Sequence, residues 1–444
     1  MNESIDRISP EMKDIITFIR RECTTDDKWD YCKNYINERA DIFTSAGHSI
    51  FPTPSGQHSS ALLASLDYID NDVATVLLLA LQVEALTDKI SCKFIHVVRV
   101  LFSRISTKVI SFIQKEVTVI SHKAVTMASK SGSAMSLISP LTHAIEQLPV
   151  GPSCLTALHA DLLQVCLSAH MYSYGYKYVI NRPVLEVNMK LSPLTGSDFL
   201  RYFYYAALLS IGLKHYVCAF DYLTQVVCAP TSTLSVIAVD ALKKASLLSL
   251  IHTGVPYNPP KGAAVSLIVQ KFLKQSLPVY DPLVKAFQSA DIEQLRRLLL
   301  LSQEALDKDG NLGLAKQLVP ALVRSRIRTL ATSYMTLSLQ DIGSLTGLNA
   351  GEVESTLLGM LSSSEIQMHI DQQSGMAHFT GEEGRAEEEE DDASDVISRL
   401  QHNMSLSMEL AEELRRMQKS VLTSQEYIAR VSTPSHGGMV GTGA

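Results

Sequence analysis

The sequence is short of charge. Asp, Glu, Lys and Arg make up 19% of its 444 residues, against about 25% in typical soluble proteins. A chain with so little charge is expected to hide part of its surface against partners. The charge it has is net acidic, at −7, which argues against a broadly basic binder of nucleic acid or anionic membrane. Long hydrophobic runs are missing too. The best stretch, Val73 to Leu86, is broken by Thr75, Gln82 and Glu84, and none reaches the roughly 18 apolar residues of a membrane span. The start, Met1-Asn-Glu-Ser-Ile-Asp6, carries acids and no apolar core, so no secretory signal is expected. The seven cysteines are odd in number and contain no Cys-x-x-Cys pair. That spacing argues against a disulfide frame or a zinc ribbon and for reduced thiols in the cytoplasm or nucleus.

Reaction-centre motifs are absent as well. There is no Gly-Lys-Ser/Thr phosphate loop, no Gly-x-Gly-x-x-Gly and no Gly-x-Ser-x-Gly. The two closest histidines, His369 and His378, are too far apart for a His-x-His or His-x-x-x-His metal pair. Cys166 and His170 are spaced to share a helical face, but no second pair accompanies them, so they read as core or groove residues. No catalytic residue, cofactor site, metal ligand or small-molecule substrate is expected.

What is present is apolar material, 46% of the chain. That excludes a disordered protein, and the length predicts about three domains. To about residue 330 the period is helical. Leu155, Leu158, Leu162, Val165 and Ala169 fall at steps of three and four, as do Leu234, Ile237, Ala241, Ala245 and Leu248, and later Ile292, Leu295 and Leu299. Loops are marked by Phe51-Pro-Thr-Pro-Ser-Gly56, Pro149-Val-Gly-Pro-Ser153 and Gly254-Val-Pro-Tyr-Asn-Pro-Pro260. Phe199 to Pro230 reads as a tetratricopeptide-like unit. Ala207 lies in a first helix, Gly212 at the turn, and Tyr216, Ala219, Leu223 and Val226 in a second; Leu158 to Val179 reads as a degenerate preceding unit. Such units cannot bury their own faces and must stack into a superhelix.

The pattern changes near residue 327. Ile327, Leu330, Tyr334 and Leu337 read as the end of a helix. Ser338-Leu-Gln-Asp341 is a capping box, with Ile342 and Leu345 facing inward and Gly347 closing the short helix. Asn349-Ala-Gly-Glu352 opens another helix, carrying Val353, Leu357 and Met360. The period then falls to two: Ile366, Met368 and Ile370 alternate with Gln367, His369 and Asp371. Gln372 to Gly375 makes a turn, and Met376 to Thr380 returns. Three helices and a hairpin predict a winged helix. It has no Lys or Arg from Thr329 to Gly381, so it is not expected to bind DNA, whose phosphates demand cations. Its hairpin instead offers an edge for pairing with a neighbour's strand. The candidate edge is Glu365, Ile366, Gln367, Met368, His369, Ile370 and Asp371, with the return strand beside it. Arg324-Ser-Arg-Ile-Arg328 reads as a solvated helix face pairing with local acids.

Residues 382–394 hold eight acids, with Arg385 the only cation. They read as a self-repelling linker. Beyond them Ile397, Leu400, Met404, Ala411, Leu414, Val421 and Ile428 keep an approximate seven-residue rhythm. The stripe predicts a lone amphipathic helix over 395–431 that needs a home. The last residues, 432–444, are Gly-, Ser- and Thr-rich and read as a loose tail.

Helical repeats running into a winged helix resemble the PCI-domain family. Its members are subunits of the proteasome lid, the COP-nine signalosome and a translation initiation complex. Thr336-Leu-Ser-Leu-Gln-Asp-Ile342 resembles the family's winged-helix signature. Glu365-Ile-Gln-Met-His-Ile-Asp371 with Ser374-Gly-Met-Ala-His-Phe379 resembles its wing. Within the family, Leu158 to Leu167, Tyr204-Tyr205 through Lys214, and Asn311 to Gln317 are most similar to the signalosome branch. Tyr172-Ser-Tyr-Gly-Tyr-Lys-Tyr178 departs from the alanine-bearing helix the family has there.

The expected fold is therefore all-α with a small winged helix. The expected parts are an N-terminal helical region (1–150), PCI repeats (151–326), a winged helix (327–381), the linker, the helix and the tail. The resemblance implies a non-catalytic scaffold subunit supporting removal of a ubiquitin-like modifier from cullins. Its partners would be other signalosome subunits, met through winged helices and a C-terminal helical bundle, with no nucleic acid and no membrane. The alternatives are a scaffold of the lid or of the initiation complex, a nucleic-acid-binding winged helix, or a hydrolase with a site built from scattered residues.

Overall fold

The computed structural model describes residues 17–18, 28–38, 72–83, 91–151, 153–184, 186–188, 193–230, 235–259, 275, 277–363, 365–371, 374–379 and 393–425. The expected Phe51–Gly56 loop, Leu234, most of the acidic linker, Ile428 and the tail lie outside them. The chain divides into two compact units, Met1–Arg326 and Ile327–Ala444.

Unit 1 begins with α1 (Trp29–Glu38), α2 (Asp72–Gln82), α3 (Ser91–Phe102), α4 (Thr107–Phe112) and α5 (Gln114–Ser131). A 3₁₀ turn (Ala134–Leu137) leads into α6 (Ile138–Glu146), followed by α7 (Ala157–Ser168), α8 (Tyr172–Asn181), α9 (Gly196–Gly212), α10 (Tyr216–Cys228) and α11 (Val236–His252). Then come α12 (Tyr280–Gln288), α13 (Ile292–Leu301), α14 (Gln303–Lys308), α15 (Leu312–Lys316) and α16 (Leu318–Ser333). From α7 onward the helices pack on their sequence neighbours: α7 on α8 and α9, α9 on α10, α10 on α11, α11 on α12. Most of the expected stripe points inward: Leu158, Leu162, Val165, Ala207, Ala219, Leu223, Val226, Ala241, Ala245, Leu248 and Leu295 are buried, while Ala169, Tyr216, Ile237 and Leu299 are half-buried. The low charge of the sequence is thus matched by broad apolar interfaces between helices.

The two repeat units share a turn. α7 ends through His170 and α9 through Lys214, both left-handed at φ 56° and 63°. In each, the next amide closes the turn: Met171 N–H donates to Cys166 O at 2.8 Å, and His215 N–H to Ser210 O at 2.9 Å. The left-handed residue is therefore Lys214, not Gly212. Gly212 has a different role. A Cβ there would sit 3.1 Å from the Tyr172 ring, so the glycine seats the first tyrosine of α8.

The tyrosine-rich departure in α8 is explained by the same comparison. Gly175 follows His170 at the interval by which Ala219 follows Lys214. A Cβ on Gly175 would lie 2.8 Å from Leu209 Cδ1 and 3.1 Å from Cys166 Cβ. Glycine there does what alanine does in α10, letting the helices approach more closely still. The tyrosines stay on the partly or fully exposed side of α8.

Unit 2 takes the end of α16 and continues with β1 (Thr336–Ser338), α17 (Leu339–Thr346), α18 (Ala350–Ser362), β2 (Met368–Asp371), β3 (Met376–Phe379) and α19 (Ala393–Thr423). Both expected caps form. Ser338 Oγ accepts from Asp341 N–H at 3.0 Å, Asn349 N–H donates to Glu352 Oε2 at 3.2 Å, and Gly347 closes α17 at φ +71°. Val353, Leu357 and Met360 are fully buried.

The structure departs from the sequence pattern at three points. Leu337 does not end the preceding helix, which stops at Ser333; it lies in β1, which pairs with β3. A three-residue strand has too little period to declare itself, and only its partner defines it. Leu345 is 48% exposed, and the inward face of α17 is Ile342 and Thr346. One turn of α-helix separates those two, while Leu345 falls a quarter-turn aside. The hairpin's first strand starts at Met368, so Glu365, Ile366 and Gln367 precede the ladder.

The cysteines need a correction as well. Cys154, Cys166, Cys218 and Cys228 are free, as expected, but Cys32 on α1 is disulfide-bonded. Tertiary packing, not sequence spacing, decides which sulfurs meet.

Candidate interaction surfaces and a buried polar cluster

Cys166 and His170, read from the sequence as core or groove residues on a shared helical face, are not brought together. α7 stops at Ser168, so Cys166 and His170 share no helical face. Cys166 is buried, and burial pushes its thiol up to about 12. His170 is exposed and hydrogen-bonds the Tyr172 hydroxyl at 3.1 Å. Among the described residues, no group of three or more His, Cys, Asp or Glu could hold a metal ion. Among the same residues, no helix is long and apolar enough to cross a membrane.

The most concentrated polar chemistry is structural. His122 on α5, Asp161 on α7, and Asp198 and Arg201 on α9 meet between the three helices. His122 Nδ1 lies 2.8 Å from Asp161 Oδ1, and Nε2 lies 3.3 Å from Asp198 Oδ1. Arg201 reaches Asp161 at 3.0 Å, Asp198 at 3.2 Å and Gln164 Oε1 at 2.7 Å. Ser121 Oγ donates to Asp161, and Thr195 Oγ1 donates to Asp198 at 2.7 Å. The side chains of Asp161 and Asp198 are 0% and 3% exposed. Two buried carboxylates face two cations, so the cluster is neutral when His122 is protonated. Burial opposes the charged imidazole, but hydrogen bonds to both aspartates and their negative charge outweigh it, raising the His122 pKa to about 9. Burial likewise opposes the Asp198 carboxylate, but hydrogen bonds from His122 and Thr195 hold it down at about 2.

These shifts set a pH dependence. The raised histidine contributes stability that is complete below its unfolded pKa, about 6.5, and is lost as pH rises through 9. The depressed aspartate contributes stability that is complete above 3.8 and is lost as pH falls toward 2. Urea unfolding of the His122→Gln variant should lose the alkaline slope between pH 6.5 and 9 that the parent shows. Parallel pH profiles for the two proteins would contradict this role.

A second polar seam joins α9, α11, α12 and the turn before α15. Tyr204 and Lys244 bond Asp240, the latter at 2.7 Å. Lys243 and Tyr280 bond Asp309 at 2.8 and 2.7 Å, and Asn311 donates to Tyr280 at 2.8 Å. Neither network was visible in the sequence. The available signal was Asp161 itself, an acid set inside the apolar run Leu158-His-Ala-Asp-Leu-Leu163.

In unit 2 the strand order is β1-β3-β2, so β3 is flanked on both sides and only β2 of the hairpin lies at an edge. The return strand, Met376 to Phe379, is therefore not a docking edge. Phe379 N–H donates to Met335 O at 2.8 Å, and Leu339 N–H to Gly375 O at 2.9 Å. Odd-numbered residues of β3 thus turn their backbone groups toward β1 and even-numbered ones toward β2. With His369 opposite His378 and Asp371 opposite Met376, the backbone groups of Met368 and Ile370 point to the outer edge. Glu365 sits just before the strand and pairs with Arg328 at 3.4 Å, so one arginine of the basic run meets a local acid.

α19 presents the clearest unburied surface. Leu400, Met404, Leu414 and Val421 are 55, 63, 63 and 56% exposed, and Ala411 is exposed too. Ile397 lies on the helix, and Ile428 falls outside the described residues. Along 400–423, no residue whose exposure is described is buried.

Comparison with known proteins agrees with this layout. A family described as COP9 signalosome complex subunit 3, N-terminal helical repeats, matches residues 34–267, and the PCI domain matches residues 284–380. The chain is similar to COP9 signalosome complex subunit 3 of Arabidopsis thaliana, 32% identical over 68% of this chain and 67% of the relative. The Dictyostelium discoideum protein of the same name is 28% identical over 64% of this chain and 66% of its own length. That of Drosophila melanogaster is 27% identical over 65% and 67%.

Proposed function

Because this chain belongs to the COP9 signalosome complex subunit 3 family, we propose that it works as a scaffold subunit of that complex with no reaction centre of its own. Its contribution to deneddylation is architectural. It holds neighbouring subunits in place while another subunit removes the ubiquitin-like modifier from cullins, and so it regulates cullin–RING ubiquitin ligases. The observation that carries this reading is α19, a helix whose apolar stripe at Leu400, Met404, Leu414 and Val421 is more than half exposed. A stripe of that size is left bare only where another chain covers it. Unit 1 is braced internally by the two polar networks. Cytoplasm and nucleus are the compartments we assign, to be checked by imaging a fluorescent fusion. Affinity purification of the full chain under native conditions tests the scaffold role. Other signalosome subunits should be recovered in near-equal amounts, and recovery of the chain alone would overturn it. A chelator-sensitive peptidase activity of the isolated chain would overturn the absence of a reaction centre.

The second contact we assign is the β2 edge, pairing with a strand of a neighbouring winged helix. It is supported by the outward backbone groups of Met368 and Ile370. Ile370→Pro removes one outward N–H while leaving the bonds of His369 and Asp371 to β3 in place. The variant should weaken capture of the adjacent subunit by about fivefold or more, the worth of one backbone hydrogen bond. Ile370→Ala controls for the lost side chain and should have the smaller effect. Equal losses in both variants would assign the effect to packing and remove the edge.

A further inference from the structure

One groove in unit 1 belongs to none of these surfaces. It lies where the end of α3 and the following turn face the 3₁₀ turn and the start of α6, and its volume is about 350 Å³. Val100 and Pro140 give it one apolar side. The rest is Arg99, Arg104 and three serines, Ser103, Ser136 and Ser139, with no carboxylate among the lining residues. Among the described residues Arg99 has one side-chain partner, the ring of His96, whose Nδ1 accepts at 3.1 Å. The Arg104 guanidinium has no hydrogen-bond or ion-pair partner among the described residues. By contrast, Arg182, Arg201 and Arg296 in the same unit are each paired with a carboxylate. Two unneutralised guanidinium groups on one groove stand out in a chain of net charge −7. Interaction with the carboxyl end of α3 favours cations there, but it does not account for three hydroxyls on the same groove.

We propose that this groove binds a phosphate monoester, carried on a phosphoserine or phosphothreonine of a partner peptide. Two guanidinium forks match an anion with three equivalent oxygens and a double charge; a carboxylate would use only one fork. Ser103 and Ser136 now donate to Arg99 O and Ser133 O, both at 2.8 Å. Each hydroxyl rotates freely enough to donate to an incoming anion instead, and Ser139 has no competing bond among the described residues. The volume is at the low end of the range for small-molecule sites, roughly 300–1,000 Å³, which suits a phosphorylated side chain better than a nucleotide. The apolar side, Val100 and Pro140, receives the methylene or flanking residue of the peptide. This inference does not rest on the scaffold role.

The test uses the full chain and a fluorescein-labelled glycine–serine peptide carrying one phosphoserine, followed by fluorescence anisotropy. The phosphorylated peptide should bind at least about tenfold more tightly than its unphosphorylated twin. Arg99→Ala and Arg104→Ala should each cost about tenfold, as expected for charge-assisted hydrogen bonds. Both arginines are exposed, and circular dichroism should show both variants folded. Arg296→Ala and Arg297→Ala on α13 should change nothing, and inorganic phosphate should compete. Equal binding of the two peptides, no binding of either, or equal losses from the α13 variants would overturn the proposal. So would arginine-dependent binding of inorganic phosphate as tight as that of the phosphopeptide, which would point to a small phosphorylated metabolite. Tighter arginine-dependent binding of a single-stranded oligonucleotide would replace the peptide with nucleic acid.

Discussion

Arg201→Ala should destabilise unit 1 by about 3–5 kcal/mol, the usual cost of removing one member of a buried ion pair. The size follows from what is left behind. Asp161 is wholly buried and would lose a partner at 3.0 Å, while Asp198 would lose one at 3.2 Å. His122 alone cannot neutralise two carboxylates. One of them must then take up a proton or draw water into the interface of α5, α7 and α9. Asp161→Asn in the same chain should recover part of the loss, because it removes the charge that Arg201 no longer balances. The single tryptophan, Trp29, lies in unit 1 with its ring 5.7 Å from that of Phe112. Tryptophan fluorescence during urea unfolding therefore follows this unit. A loss under about 1 kcal/mol for Arg201→Ala, in the range of an exposed pair, would show that the cluster is solvated and not a brace.

Replacing Leu400, Met404, Leu414 and Val421 together by serine should abolish incorporation into the complex and leave unit 1 as stable as before. Each side chain, if fully buried by partners, is worth about 1.5–3 kcal/mol. Part of that sum is offset by the cost of association and of ordering a helix that is marginal alone. A loss of at least a hundredfold in capture remains, since even about 3 kcal/mol is more than that factor. The second half of the expectation separates docking from folding. The helix leaves its own stripe 55–63% exposed at these positions, so polar substitution removes nothing from the chain's own core. Unchanged co-purification of the variant would sink the idea that this stripe is the anchor. A drop in the urea midpoint of unit 1 would show that the helix folds back on its own chain.

The PCI winged helix was the most legible part of the molecule. Its signals are local: a serine three residues before an aspartate, a left-handed glycine after a short helix, and a period of two across Met368 and Ile370. Each is satisfied within a few residues of itself, so the linear order already contains it. The repeats were legible at the level of stripes, because a helix face is set by spacing alone. Errors came where spacing is not enough. Leu345 and Thr346 are both reasonable inward residues on paper, and only the packing of α17 on α18 chose between them. Leu337 continued the helical spacing on paper, and pairing with β3 made it a strand residue.

The sequence by itself determined the all-helical character of unit 1, the caps and hairpin of unit 2, and the existence of an apolar stripe over the last helix. These depend on backbone geometry and nearest neighbours, which the order of residues encodes directly. Only the tertiary structure decided that His122, Asp161, Asp198 and Arg201 form one neutral cluster, that Gly175 stands in for an alanine, and that Arg99 and Arg104 share a groove. The His122–Asp161 and Arg201–Asp161 contacts join residues 39 and 40 positions apart. An interaction across that distance exists only after helices have stacked, because no local rule says which faces will meet.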